Sequence, residues 1–318
     1  MGHRSLLCLC CLLIILFAAA AGCIGEEKNK VQNTIPQNTT TTSTPSYTVD
    51  NAGHLSIQRS PSAVNETVLI LNDTLTLTQV VLLTPEGNVS CLLSTPAHPK
   101  AAFVFAPGAQ EKAMGHLSQM VRYAQAGYAF LFVDIRGNGG DTPGYPLDPQ
   151  KDYQQFKAGA WPEYYLTVAD LSDARAYLNR TLGVPVMAIG SSNGGRYAAI
   201  AAAIDPDFAG YIGVSTSSFA ISADGAPDDG RRFLTSIDPG NYLGSISPRP
   251  IWIFHAEKDP IIPYADGQEF FSHAKDPKEF IPFNGDHGMN SEVDTGVLER
   301  CAHLYGSTSP INNSSESR

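Results

Sequence analysis

The chain has 318 residues, with 21 Lys and Arg against 31 Asp and Glu, for a net charge of −10. No basic cluster interrupts this acidic balance, which argues against a nucleic-acid partner. With 43% hydrophobic residues, the chain can bury a sizeable core, and its length suits one large domain with flanking segments.

The flanks come first in chain order. His3 and Arg4 precede an apolar run, Leu6 to Ala21, too short and too rich in small residues at its end for a membrane span. The run ends Ala20-Ala21-Gly22-Cys23, which resembles the lipobox of bacterial and archaeal lipoproteins. The resemblance implies a signal peptide over residues 1–22, a lipid on Cys23, and an exported protein anchored at the cell surface. Secretion after ordinary cleavage near the same site is the alternative. Residues 23–50 read as a tether, since their Thr, Asn, Ser and Pro cannot bury enough surface to offset ordering entropy. The tail, 307–318, has the same character, leaving residues 51–306 as the folded domain. Within that domain only Cys91 and Cys301 remain as cysteines, either a pair formed outside the cell or, more simply, two buried thiols. Sequons at Asn38, Asn65, Asn72, Asn88, Asn179, Asn312 and Asn313 mark surface positions wherever exported proteins are glycosylated.

Inside the domain, strands and helices alternate. Thr74 to Leu83 and Val89 to Ser94 flank the turn Pro85-Glu-Gly-Asn88 and predict an antiparallel hairpin at the sheet edge. Ala101 to Ala106 and Tyr128 to Val133 are continuous apolar runs suited to buried parallel strands, and helical spacing links them over Lys112 to Ala126. A Gly-rich loop follows, Asp134-Ile-Arg-Gly-Asn-Gly-Gly-Asp141, whose charges read as ties that fix the loop. Residues 144–161 read as irregular, and Tyr165 to Asn179 as an amphipathic helix. After Ala209 to Ser215, another short strand, residues 217–249 read as a long irregular connection of the kind that forms lids or binding loops. Strand 250–255, helix 264–274, strand 279–283 and helix 292–305 close the chain. The pattern predicts an α/β fold: a mostly parallel central sheet with an antiparallel N-terminal hairpin, helices on both faces and a short cap.

One stretch organises the rest. The strand Val184 to Ile189 ends in Gly190-Ser-Ser192-Asn-Gly194-Gly195, and the Ala-rich run Arg196 to Ile204 reads as a helix. Strand, tight Gly-x-Ser-x-Gly turn, helix is the context a nucleophile elbow requires. A serine at so sharp a turn projects its Oγ above the sheet, and Gly190 and Gly194 pass too close to neighbouring backbone to carry a Cβ. The helix beginning beside Ser192 aims free N–H groups at any oxyanion formed there. A serine needs a base, and the base an orienting acid. The order Ser, acid, His selects Asp259, in the turn after strand 250–255, with Glu257 as rival, and His287, in the Gly-flanked loop after the last strand. His255 precedes the acid, and His273 and His303 fall on helices. Oxyanion donors fall to the N–H of Asn193 and to Gly108 or Ala109 in the loop after Ala106.

These motifs, with the Asp134-x-Arg-Gly-x-Gly loop, resemble the α/β-hydrolase superfamily across nearly the whole domain, within it the dienelactone-hydrolase-like and exported esterase branches. Dienelactone hydrolases proper carry Cys at the elbow, where this chain has Ser192, and the loop Ala106-Pro-Gly-Ala109 lacks the His-Gly common in lipases. The resemblance implies a serine esterase that acts on a small or polymeric ester through an acyl-enzyme, without metal or organic cofactor. A peptidase on the same fold and a non-catalytic ligand-binding lipoprotein are the alternatives.

Overall fold

The computed structural model describes residues 46–219, 223 and 225–306. The lipobox, most of the tether and the tail lie outside them.

Nine strands form one sheet. They are β3 (Ala63–Leu71), β4 (Thr76–Leu83), β5 (Val89–Thr95), β6 (Ala101–Ala106), β7 (Tyr128–Val133), β8 (Val186–Ser191), β9 (Gly210–Val214), β10 (Ile251–Ala256) and β11 (Lys278–Phe283). Their order is β11-β10-β9-β8-β6-β7-β5-β4-β3. The six from β6 to β11 run parallel, while β3, β4 and β5 form an antiparallel meander joined to β7. The predicted hairpin is β4–β5, and β3 extends it by an edge strand. β3 escapes the sequence reading because it is exposed along nearly its whole length and lacks the alternation that marks a half-buried strand. A separate hairpin, β1 (Ser46–Val49) with β2 (Leu55–Gln58), precedes the sheet. β1 corrects the tether boundary at residue 50: the Tyr47 ring packs against Trp161 and Tyr165, and its hydroxyl donates to the Ala160 carbonyl at 2.9 Å.

Because side chains alternate along a strand, the sheet splits its apolar residues between two faces. Ala102, Val104 and Ala106 face one core, with α3 (Glu163–Leu182) and α4 (Asn193–Ile204); Phe103 and Phe105 face the other, with α1 (Leu117–Gln125) and α8 (Ser291–Tyr305). Cys91 lies in the first core and Cys301 in the second, so the sheet separates two free buried thiols. α3 departs from simple amphipathicity, because Tyr164 to Leu171 is buried without a break.

Two regions read as irregular hold helices. α2 (Pro149–Lys157) is capped by Asp148, whose Oδ1 accepts the N–H groups of Gln150 and Lys151, with Pro149 at the first helical position. Its polar composition hid it from a search for apolar periodicity. The connection 217–249 contains α5 (Asp228–Ile237) and α6 (Gly240–Ile246). Buried Phe233, Ile237, Leu243 and Ile246 fasten both to the core, and the Tyr242 hydroxyl accepts the Leu55 N–H at 3.0 Å. This part of the cap is a packed layer.

Candidate active site

The topology locates the site. From β6 the chain crosses one face of the sheet through α1 to β7; from β8 it crosses the other through α4 to β9. Adjacent loops that leave for opposite faces open a crevice at the carboxyl ends of β6 and β8, where ligands bind in open α/β sheets. The loop after β6 carries Gly108 and Ala109, and the turn after β8 carries Ser192.

Ser192 holds φ 54° and ψ −123°, a strained conformation for a residue with a Cβ. A Cβ on Gly194 would stand 2.0 Å from the Ala106 carbonyl oxygen, and one on Gly190 2.4 Å from that of Gly194. Both glycines are therefore required by close backbone approach. The Thr216 hydroxyl donates to the Ser192 carbonyl at 2.8 Å and pins the elbow from β9's end.

His287 and Asp259 meet as the sequence order suggests. His287 Nδ1 stands 2.9 Å from each Asp259 carboxylate oxygen. The Asp259 side chain is fully buried, and its Oδ1 also accepts the N–H groups of Ile261 and Ile262 at 2.9 Å. Burial pushes this carboxyl up, but the bonds from Ile262, Ile261 and His287 outweigh it and hold the pKa below the usual value. His287 Nε2 is buried with no hydrogen-bond partner among the described residues. Its neighbour Gly288 packs against the elbow: a Cβ there would sit 3.3 Å from Ser191 Oγ. Glu257 is exposed, as are His273 and His303. Buried His255 turns Nε2 toward the Ile262 carbonyl at 3.0 Å, supporting the Asp259 turn from beneath.

Of the two oxyanion candidates after β6, Gly108 is committed elsewhere. Its N–H donates to Glu111 Oε2 at 2.7 Å, which corrects its place among the donors. Ala109 and Asn193 line a common cavity of about 360 Å³, with Gln110, Leu147 and Tyr197. Asn138 braces this loop, donating to the Gly108 and Glu111 carbonyls at 2.9 and 3.2 Å and accepting the Gln110 N–H at 2.7 Å. Two of the three charged residues of 134–141 behave as ties: Arg136 Nε donates to Asp170 Oδ2 at 2.7 Å, and Asp134 Oδ2 accepts the Thr142 N–H at 2.7 Å, while Asp141 is exposed.

A polar chain missed by the sequence reading continues from Glu111. Glu111 Oε2 lies 3.4 Å from His116 Nε2, and His116 Nδ1 lies 2.8 Å from Gln119 Oε1. The Gln119 amide donates to Asp294 Oδ1 at 2.7 Å, and Arg122 donates to Asp294 Oδ2 at 3.2 Å. Both His116 nitrogens face acceptors, an arrangement that the imidazolium alone satisfies. Burial pulls the His116 pKa down, but Glu111 and Gln119 more than reverse this and raise it. For Glu111, burial pushes up, while His116 and the Gly108 N–H together bring the pKa below its usual value. Only the i, i+5 spacing of Glu111 and His116 was visible in sequence, and it carries no motif.

The sheet order, the two-faced helical cover and the elbow are those of an α/β-hydrolase fold. Residues 97–235 match the family model for serine aminopeptidase, S33. Among curated proteins, the chain is 27% identical over 171 residues to YfhR of Salmonella typhimurium, itself uncharacterized, across 50% of this chain and 54% of that one. The chain spans about half or less of the length of the curated relatives it matches. Its fold is similar to acetyl xylan esterase 1 of Thermoanaerobacterium, with a TM-score of 0.64 at 14% identity over 77% of this chain and 89% of that one. It is also similar to a glucuronoyl esterase of Solibacter usitatus, with a TM-score of 0.55 at 16% identity over 80% and 88%.

Proposed function

We propose that the protein is a serine hydrolase that cleaves a carboxylic ester or related acyl bond through an acyl-enzyme. Ser192 attacks the carbonyl; His287 Nε2 takes its proton and returns it to the leaving group; Asp259 orients the imidazole and stabilises its charge. The N–H groups of Asn193 and Ala109 receive the oxyanion, and water then releases the acyl group. The observation that carries this reading is the His287–Asp259 pair: the acid is buried and bonded to Nδ1, Nε2 has no partner among the described residues, and the adjoining Gly288 packs against the elbow turn that holds Ser192.

The test is labelling of the full-length protein with a fluorophosphonate. Adduct on Ser192 that disappears in Ser192→Ala and His287→Ala supports the reading; folded protein that takes no label refutes it. The family match to serine aminopeptidases keeps peptide bonds as the second reading. An aminoacyl-nitroanilide cleaved faster than any ester would favour it. Export and a lipid anchor on Cys23 belong to the same proposal, tested by Cys23→Ser, which should move the protein from the membrane fraction to the soluble one.

A further inference from the structure

Beyond the loop that follows β7 lies a second cavity, of about 380 Å³. Leu92 of β5 and Phe132 of β7 are among its lining residues. Two exposed apolar side chains also line it: Leu69, 51% exposed and part of the exposed apolar run Val68 to Leu71 on edge strand β3, and Met114, 73% exposed. Leu69 sits where the β3–β4 register slips between Val68 and Ile70, and such bulges re-aim side chains. Apolar groups held out beside a cavity mark a surface built to be covered.

The cavity also lines up with a polar group that lacks a partner. Asp134, 7% exposed, is part of its wall, and its Oδ1 is buried with no hydrogen bond among the described residues. A buried acceptor left unmade is costly, so a donor belongs there. Finally, Gly139 lines both this cavity and the one shared by Ala109 and Asn193. A Cβ at Gly139 would meet nothing within 4 Å, so the backbone that the two cavities share borders open space there.

We infer that the second cavity is the subsite for an apolar, chain-like limb of the substrate that bears a hydroxyl or other hydrogen-bond donor near the ester. The limb runs over Gly139 from the oxyanion donors, places its donor on Asp134 Oδ1, and buries its hydrocarbon against Leu69, Leu92, Phe132 and Met114. Each methylene buried there gains roughly fourfold in kcat/KM until the space is filled.

This inference rests on Ser192 being the nucleophile, and its test separates the two. With full-length protein and p-nitrophenyl acetate, butyrate and decanoate, kcat/KM rises with chain length. Leu69→Asp and Met114→Glu, both at exposed positions, each cut turnover of the decanoate by roughly tenfold or more and leave the acetate within about twofold. Independently of catalysis, Ser192→Ala binds 1-decanol in a calorimetric titration, and adding Leu69→Asp or Asp134→Asn weakens that binding. A flat chain-length profile in protein that a fluorophosphonate labels overturns the subsite alone. So does a slope that neither rim substitution changes, or the absence of decanol binding. Folded protein that takes no label overturns the hydrolase reading, and decanol binding then decides the cavity by itself.

Discussion

Replacing Gly194 by alanine tests the geometry on which the site depends. The added Cβ would stand 2.0 Å from the Ala106 carbonyl oxygen and 2.4 Å from that of Pro107. Ordinary carbon–oxygen contacts begin near ~3.3 Å, so something must move by on the order of 1 Å. Neither neighbour is a flexible side chain. Ala106 ends a buried strand paired with β8, and Pro107 opens the loop that carries Ala109. Overpacking against rigid backbone costs about 3 kcal/mol. For a domain of this size that lowers Tm by roughly 6–12 °C. A displacement of the Ala109 loop by even ~1 Å also slows fluorophosphonate labelling of Ser192 by roughly a hundredfold. The assay is a circular-dichroism melt run beside Gly115→Ala, whose Cβ would meet nothing within 4 Å. Expected is a large fall for the first variant and almost none for the second. A Gly194→Ala protein melting within about 2 °C of the parent would refute the claimed backbone approach, and with it the placement of Ala109 beside the elbow.

Other outcomes follow from the same site. Asp259→Asn lowers the labelling rate by roughly 10⁴-fold, because the imidazole loses both its orientation and its counter-charge, whereas Glu257→Gln leaves it unchanged. Asn138→Ala removes three hydrogen bonds from the loop after β6; kcat falls at least tenfold with little change in KM, since the loss is felt by the oxyanion donors. His116 faces Glu111 and Gln119, with Asp294 and Arg122 behind them, and its raised folded-state pKa exceeds its unfolded value. Its stabilisation is thus fully present below about pH 6.5 and lost as pH rises through the folded-state value. The labelling rate should decline along an alkaline limb that His116→Gln abolishes, with the acid limb of the general base preserved. An alkaline limb identical in the variant would count against any role for His116 in holding the loop.

Much of the site was legible because its signals are local. The Gly190-x-Ser192-x-Gly194 spacing encodes a steric requirement within five residues, and the loops of Asp259 and His287 each follow an apolar run that could be read as a strand. The parallel strands were legible for the same reason, being continuously apolar. What escaped depended on contacts between distant segments. β1 looks like tether until Trp161 and Tyr165, more than a hundred residues on, supply a surface for Tyr47. α5 and α6 are short and polar on their outer sides, so only the core that they cover reveals them. Gly108 and Ala109 are indistinguishable as donors in sequence; a carboxylate three residues further on takes one of them.

α8 starts four residues after His287, and Asp294 in its first turn ends the polar chain that begins at Gly108. The loop of His287 and the loop that carries Ala109 are consequently tied to one helix. Fraying of that helix releases both together, so the amide protons of residues 291–297 should exchange in step with those of Glu111 and Gln119, as one cooperative unit. Mild denaturant would then abolish labelling of Ser192 in a single transition, well before the parallel sheet beneath it gives way.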